Sequence, residues 1–425
     1  MERVLLQRSY DKNYVPVHYF GEFGIDFDGQ VIDQISTAAK LPVALKGAVM
    51  PDAHMGYALP IGGVIALDNA VSPNFVGVDI ACRMKLSMWD YNPLVDRKVI
   101  LQTMRKVSRF GIGAKFQKNN MNDHAVMSDP LWNEIPILKE NKARAQEQLG
   151  TSGGGNHFFD FMEGVIVQDM IFTNGKLPEG VPFHAIMTHS GSRGVGHACA
   201  SHYYNHAKEY VASRANDGDD FFKGIEKGYE WLPLDYDLGA EYWNVMQLMG
   251  RYASANHECI HTNFFNTLGF NPTVTFENHH NFAWKTDEGI VHRKGATPAG
   301  LNEIGIIPGT GQTESFVTVG IGNELSLQSS SHGAGRISSR KQAKKNIDVE
   351  AYKQMLTNKD IMTSGVAADE TYQAYKDITR VIDLQTDADI IRIAAVMRPK
   401  IVVMGGAGRD NALDRVTISN DAEME

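Results

Sequence analysis

The chain has 425 residues, a net charge of −9, 43% apolar residues and 21% charged ones, which suits one large globular domain or two to three smaller ones. The negative balance argues against a coat of positive charge for bulk nucleic-acid binding, while leaving room for a local basic groove. Three cysteines (Cys82, Cys199, Cys259) are too few for a disulfide framework, no apolar run nears the roughly 18 residues that cross a bilayer, and the N-terminal MERVLLQRSYDKN has no apolar h-region. A reducing, cytoplasmic setting without membrane attachment is expected.

Residues 27–88 break into short apolar runs, LPVALKGAVM, IGGVIALD and VGVDIACRMKLSMW, whose length and Val, Ile and Ala content predict strands. The polar segment 92–149 predicts helices near 95–104 and 134–149, and 92–150 has the character of a small helical insertion. VPFHAIMTHS at 181–190 reads as a strand, 194–210 and 238–262 as helices, and Val274–Phe276 as a strand entering His279-His280. Helices are expected over 337–357 and 384–397, and IVVMGG at 401–406 as a last strand. Residues 407–425 are polar and acidic, a C-terminal extension. No GxGxxG follows a strand and no GxxxxGK[ST] occurs, so neither dinucleotide nor P-loop binding is supported. The fold class is α+β, with one large domain over 1–406.

Five segments set metal-ligand side chains beside tight, mostly glycine-bearing turns: Pro51-Asp-Ala-His54-Met-Gly56, Asp79-Ile-Ala-Cys82, Gly153-Gly-Gly-Asn156-His157, His189-Ser-Gly-Ser-Arg193-Gly194 and Asn278-His-His280-Asn281. Loops at strand ends are where sheets build sites on a rigid base. Taken alone, Cys82 reads as a small buried hydrophobe, and His54 or His189 as turn residues. Taken together, a thiolate bridging two divalent ions with imidazole and carboxylate completing each shell accounts for all five, and Mn, Zn, Co or Fe would fit such a set. His257-Glu258-Cys259-Ile260-His261 matches HExxH on an expected helix, which raises a metalloprotease reading without an evident third ligand.

Two further segments suit phosphate. Pro308-Gly309-Thr310-Gly-Gln-Thr-Glu-Ser315 offers backbone N–H groups and hydroxyls in a tight loop. Ser329-Ser-Ser-His332-Gly333-Ala334-Gly335-Arg336 sets a histidine among small residues, ahead of a basic stretch with Arg340, Lys341, Lys344 and Lys345. Small neighbours let a ligand approach His332 closely, and Arg336 and Arg340 can clamp phosphate with planar donor forks. Such a histidine either holds a turn or attacks an α-phosphate. The lysine motif KxDG of other nucleotidyltransferases is absent.

At PDAHMGYALPIGGV, GVDIACRM, GGGNHF, HSGSRGVGH, HHN, HRKGATPAG and SSSHGAGRISSR the chain resembles the RtcB family of RNA ligases, over roughly residues 25–406. The resemblance implies a single large domain of mixed and antiparallel sheets around a metal cleft. It implies two Mn2+ ions bridged by Cys82, with Asp79 and His157 on one and His189 and His280 on the other. It makes His332, Cys82 and Asp79 the catalytic set, with His332 taking GMP from GTP. The nucleotide contacts it implies are Asn156, Asp160, His280, Pro308, Gly309, Thr310, Ser315 and Met404, with the loop His332–Arg336. Arg193 and Arg340 would meet RNA phosphate. The activity implied is GTP-dependent joining of RNA 2′,3′-cyclic phosphate or 3′-phosphate ends to 5′-hydroxyl ends, in RNA repair, through a histidine–guanylate intermediate. Alternatives are a divergent metal-dependent nucleotidyltransferase with altered nucleotide or end specificity, and a non-catalytic RNA-binding paralogue. A monomer is expected, and the altered loops are compatible with an activating partner protein.

The chain also departs from the family. Asp160 stands for glutamate, His261-Thr262-Asn263 for asparagine-arginine-glutamine after the long helix, Pro298 for arginine, Thr310-Gly311-Gln312 for serine-methionine-glycine, and Met404 for the lysine at the guanine site. Loss of that last cation should weaken guanine binding.

Overall fold

A computed structural model describes residues 14–172, 175–337, 343 and 347–406. Arg340 with its neighbouring lysines, and the extension 407–425, lie outside the described residues.

Two sheets carry the fold. The larger has eight strands, seven of them in the order Val274–His279, Arg83–Asp90, Pro182–Ser190, Phe158–Ile166, Ile391–Met404, Ser315–Gly320, Ile304–Ile307. These seven pair antiparallel, and Met362–Ser364 adds in parallel to the last part of Ile391–Met404. The edge strands Val274–His279 and Ile304–Ile307 approach each other, so the sheet nearly closes on itself. The smaller sheet has five strands in the order Val17–Tyr19, Ala44–His54, Ile61–Leu67, Gly289–Lys294, Asn281–Thr286. One residue, His280, separates the Val274–His279 strand of the large sheet from the Asn281–Thr286 strand of the small one.

Antiparallel pairing decides where the site falls. Successive strands run in opposite senses, so the beginnings of Arg83–Asp90 and Phe158–Ile166 meet the ends of Pro182–Ser190, Val274–His279 and Ile391–Met404 on one rim. The register shows it: Arg83 faces Ser190 and His279, and Phe158 faces both His189 and Met404.

The long helix Asp237–Leu268 buries Tyr242, Val245, Met246, Met249, Tyr252, Ala253, Ile260 and Phe264, a stripe at helical spacing. Each such large side chain contributes about 1.5–3 kcal/mol on burial. The helix Pro136–Gln148 packs on Arg193–Asn216, and Arg97–Val107 packs on the long helix. Among the described residues no helix is long and apolar enough to cross a membrane.

Several expected elements are redrawn. Within 27–88, Gly29–Ala39 is a helix, capped by the Asp28 side chain accepting from the Val31 backbone N–H at 3.0 Å. Its buried Val31, Ile35, Ala38 and Ala39 have helical spacing. The run VGVDIAC is not strand: Pro73–Val76 is a helical turn and the strand starts at Arg83. Asp79 and Cys82 therefore precede a strand. The helix expected over 384–397 is replaced by a helix at Ile378–Asp387 and a strand at Ile391–Met404, separated by a turn in which Asp389 adopts a φ of 53°. Of 337–357, the described helix is Val349–Lys359. His261, Thr262 and Asn263 lie inside the long helix, not after it.

Candidate metal centre and nucleotide pocket

The rim gathers donors from four separate segments of the chain, His189 from within a strand and the others from beside the ends of strands. Cys82 Sγ lies 3.4 Å from His157 Nε2 and 3.1 Å from His189 Nε2, and these three atoms are all within 4.8 Å of one another. Asp79 Oδ2 lies 2.9 Å from His157 Nε2. His189 Nε2 lies 3.2 Å from His280 Nε2. Cys82, His157, His189 and His280 are buried, and Asp79 is partly buried. The turn that aims Asp79 and Cys82 is tight: Ala81 takes a φ of 57°, a left-handed conformation that costs a non-glycine residue about 1–2 kcal/mol.

Protonation suits a cation here. Burial, then the charge of Asp79, pushes the Cys82 thiol well above its usual range, so a thiolate needs positive charge brought to it. Burial holds His189 and His280 well below the usual imidazole range, in the neutral form that ligates. Burial would raise Asp79, but the hydrogen bond and charge of His157 outweigh it and hold that carboxyl at about 2. The outer nitrogen of His189, Nδ1, is 3.1 Å from the Asn156 carbonyl oxygen, which fixes the ring. Among the described residues His280 Nδ1 is buried with no hydrogen-bond partner. The donor set of thiol, imidazoles and carboxylate thus fits divalent ions of the first transition row.

Arg193, at a φ of 56°, sits behind this cluster. Its Nη1 is 3.0 Å from His157 Nδ1 and its Nε donates to Thr151 Oγ1 at 3.2 Å. The guanidinium passes over Gly153, where any Cβ would overlap it. Arg193 therefore braces a candidate ligand.

Beside the rim lies a cavity of about 300 Å³. Asn156, Asp160, Pro308, Gly309, Thr310, Met404 and the loop His332–Arg336 line it, along with His54 and His189. The His332 ring lies 5.0 Å from that of His280, centre to centre. Asp52, fully buried, accepts from His332 Nδ1 at 2.7 Å and from the His332 backbone N–H at 3.2 Å. Burial would raise the Asp52 carboxyl, but His332 holds it below its usual range. With Nδ1 so engaged, Nε2 is the free nitrogen. Gly335, at a φ of 75°, lets this loop press on the Asp52 backbone, where a Cβ would overlap.

Other expected contacts differ. Ser315 does not line the cavity; it is buried behind it and accepts from the Gly309 backbone N–H at 3.1 Å. Arg336 lines the cavity, yet its Nη1 donates to Tyr375 Oη at 3.1 Å and its Nη2 to the Asp369 carbonyl at 2.9 Å. Asp160 faces the cavity from the strand beside Met404; burial lifts its carboxyl well above the usual range, and among the described residues its Oδ1 has no partner. Asp52 was not singled out from sequence, although an acid within the apolar run AVMPDAH already signals a buried charge in need of a partner.

The HExxH match forms no metal site. His257 Nδ1 and His261 Nε2 both meet Thr188 Oγ1, at 2.5 and 2.8 Å, and His261 Nδ1 meets Ser87 Oγ at 2.7 Å. Glu258 is exposed, 3.4 Å from His124.

The family model described as tRNA-splicing ligase RtcB matches residues 34–127 and 94–405. The chain is 29% identical over 416 residues to the RNA-splicing ligase RtcB of Escherichia coli strain K12, covering 90% of this chain and 96% of that protein. It is 30% identical over 449 residues to the tRNA-splicing ligase RtcB of Methanococcus maripaludis, covering 88% of this chain and 91% of that protein. With similarity over most of its length, the chain belongs to the RtcB family.

Proposed function

We propose that this chain is a GTP-dependent RNA ligase that joins RNA 2′,3′-cyclic phosphate or 3′-phosphate ends to 5′-hydroxyl ends. The observation that carries the reading is the Asp52–His332 pair, which leaves His332 Nε2 free beside the Cys82, His157, His189 and His280 cluster. Nε2 attacks the α-phosphorus of GTP, a P–N bond forms, and the bond to pyrophosphate breaks. Asp52 keeps the remaining proton on Nδ1 and stabilises the positive ring. Water first opens a 2′,3′-cyclic end to a 3′-phosphate with a free 2′-hydroxyl; an oxygen of the RNA 3′-phosphate then attacks the same α-phosphorus, the P–N bond breaks and His332 is released. The 5′-hydroxyl attacks the activated RNA phosphate and GMP leaves. Two Mn2+ ions, held by Asp79, Cys82 and His157 and by Cys82, His189 and His280, would supply positive charge against the phosphate oxygens.

Ligation of a cation by His157 Nε2 requires the proton on Nδ1. Arg193 Nη1, now 3.0 Å from that nitrogen, would then give up the contact and be available to RNA phosphate. Asn156 and the Pro308–Thr310 loop would cradle the guanylate. Met404 and Asp160, both lining the cavity, favour a second reading, a nucleotidyltransferase whose base preference has shifted from guanine.

The deciding experiment is incubation with Mn2+ and α-phosphate-labelled nucleotides. GTP should leave an acid-labile label on the protein, and His332→Ala should abolish it. A label that survives His332→Ala sinks the nucleophile. Labelling by ATP alone selects the second reading.

A further inference from the structure

We propose that a groove between the end of the Arg97–Val107 helix and the end of the Asp237–Leu268 helix binds the single-stranded part of the RNA substrate as it leaves the metal rim. The proposal rests on the RNA-ligase reading above. The groove encloses about 500 Å³, and Lys106, Arg109, Phe116, Asn120, Asn263 and Asn266 are among its lining residues.

Charge singles out this face. Between Asp96 and Asp123 the chain has seven lysines and arginines and no acid, in a protein whose net charge is −9. Arg97 pairs with Asp360 and Lys115 with Glu147. Lys106 and Lys118 make no ion pair among the described residues, so their charge is available to phosphate. Asp123, next after Asn122, and Glu258, 3.4 Å from His124, supply opposite charge beside the groove.

The lining has the chemistry of base recognition. The Arg109 guanidinium lies 4.6 Å from the centre of the Phe116 ring, and its Nη1 donates to the Lys106 and Ser108 carbonyls at 3.0 and 2.7 Å. That plane is held in position, and a guanidinium plane stacks on nucleobases. Asn120 and Asn266 are exposed, and their side-chain amides make no hydrogen bond among the described residues. Free amides read base edges. A protein partner would want an apolar anchor, but Phe116 is buried and covered by Arg109.

The groove connects directly to the candidate site. Arg109 O accepts from the Ser152 backbone N–H at 3.0 Å, and Gly111 N–H donates to Gly153 O at 2.8 Å. Asn156 and His157 follow within a few residues on the same loop. A strand whose end lies at the rim therefore crosses this loop to reach the groove.

The test measures affinity of the full chain for a short single-stranded RNA with a 5′-hydroxyl end, across a salt series. The double variant Lys106→Ala, Asn266→Ala should bind about tenfold more weakly. The slope of log affinity against log salt should fall by about 0.7, the share of the one phosphate that Lys106 neutralises. Covalent labelling by GTP should stay at the level of the unaltered protein. Lys208→Ala, an exposed lysine on the Arg193–Asn216 helix, removes the same charge elsewhere and should leave affinity unchanged. Equal losses from both variants would show a net-charge effect and overturn the groove. Unchanged affinity and slope in the double variant, or no RNA affinity in a protein that still labels, would also overturn it and leave the face to another partner. Absence of both labelling and ligation in the unaltered protein would instead overturn the ligase reading.

Discussion

The two ends of the cleft differ in how tightly the protein defines them. At the metal rim, Cys82, His157, His189 and His280 are buried and interlock at 3.1–3.4 Å, with Asn156 and Arg193 holding two of the rings from behind. Little there can change without loss of the whole constellation. At the cavity end, Met404 presents an apolar chain, burial raises the Asp160 carboxyl and leaves its Oδ1 without a partner among the described residues, and Arg336 is turned onto Tyr375 and Asp369. Several departures from the family, at Asp160, Thr310, Gly311 and Met404, collect at this second end. The contrast teaches that ligand geometry constrains sequence through several elements at once, whereas a base pocket can be altered one side chain at a time.

The rim should break hardest. Removing a group that merely orients a metal ligand costs about 10–100-fold in affinity, so Cys82→Ala, which removes the ligand that the proposed function shares between two ions, should lose more than that. Elemental analysis of the purified protein should find Mn2+ largely gone. Unchanged metal content would refute the bridge. Asp52→Asn should come next: the shape survives, but the ring loses its anion, and the rate of labelling by GTP should fall about 10–100-fold with metal content intact. Equal labelling rates would reduce Asp52 to a packing role. The smallest effect is expected from Met404→Lys, which should tighten GTP binding up to about tenfold if the pocket still favours guanylate. A new lysine there also meets Asp160, and an unchanged Kd would show that the pair satisfies itself and the base site has been rebuilt.

The same contrast governs what was legible in the sequence. Cys82, His157, His189, His280 and His332 stood out because cysteine and histidine beside glycine-bearing turns are chemically conspicuous, and the structure brings them together. The strand at Pro182–Ser190 was legible as a short apolar run and the long helix from its periodicity. The misreadings have local physical causes. VGVDIAC is apolar enough for a strand, but Ala81 at a φ of 57° breaks the extended path before Arg83. The apolar run at 384–397 hides a helix-to-strand switch at Asp389. Asp52 escaped notice because its partner is 280 residues away, a pairing no local pattern encodes. Ser315 was assigned to the nucleotide because it shares a loop with Gly309; its hydroxyl in fact supports that loop from behind.

His280 is the only residue between a strand of the large sheet and a strand of the small one, and its ring touches His189 on the former while facing His332 beyond the latter. A ligand bound there acts as a rivet through a seam. Pulling either sheet away expels it, so the mechanical integrity of the seam and occupancy of the site become one thermodynamic quantity. At a free ligand concentration a thousand times its Kd, that linkage amounts to about 4 kcal/mol of resistance to unfolding, concentrated where the two sheets meet.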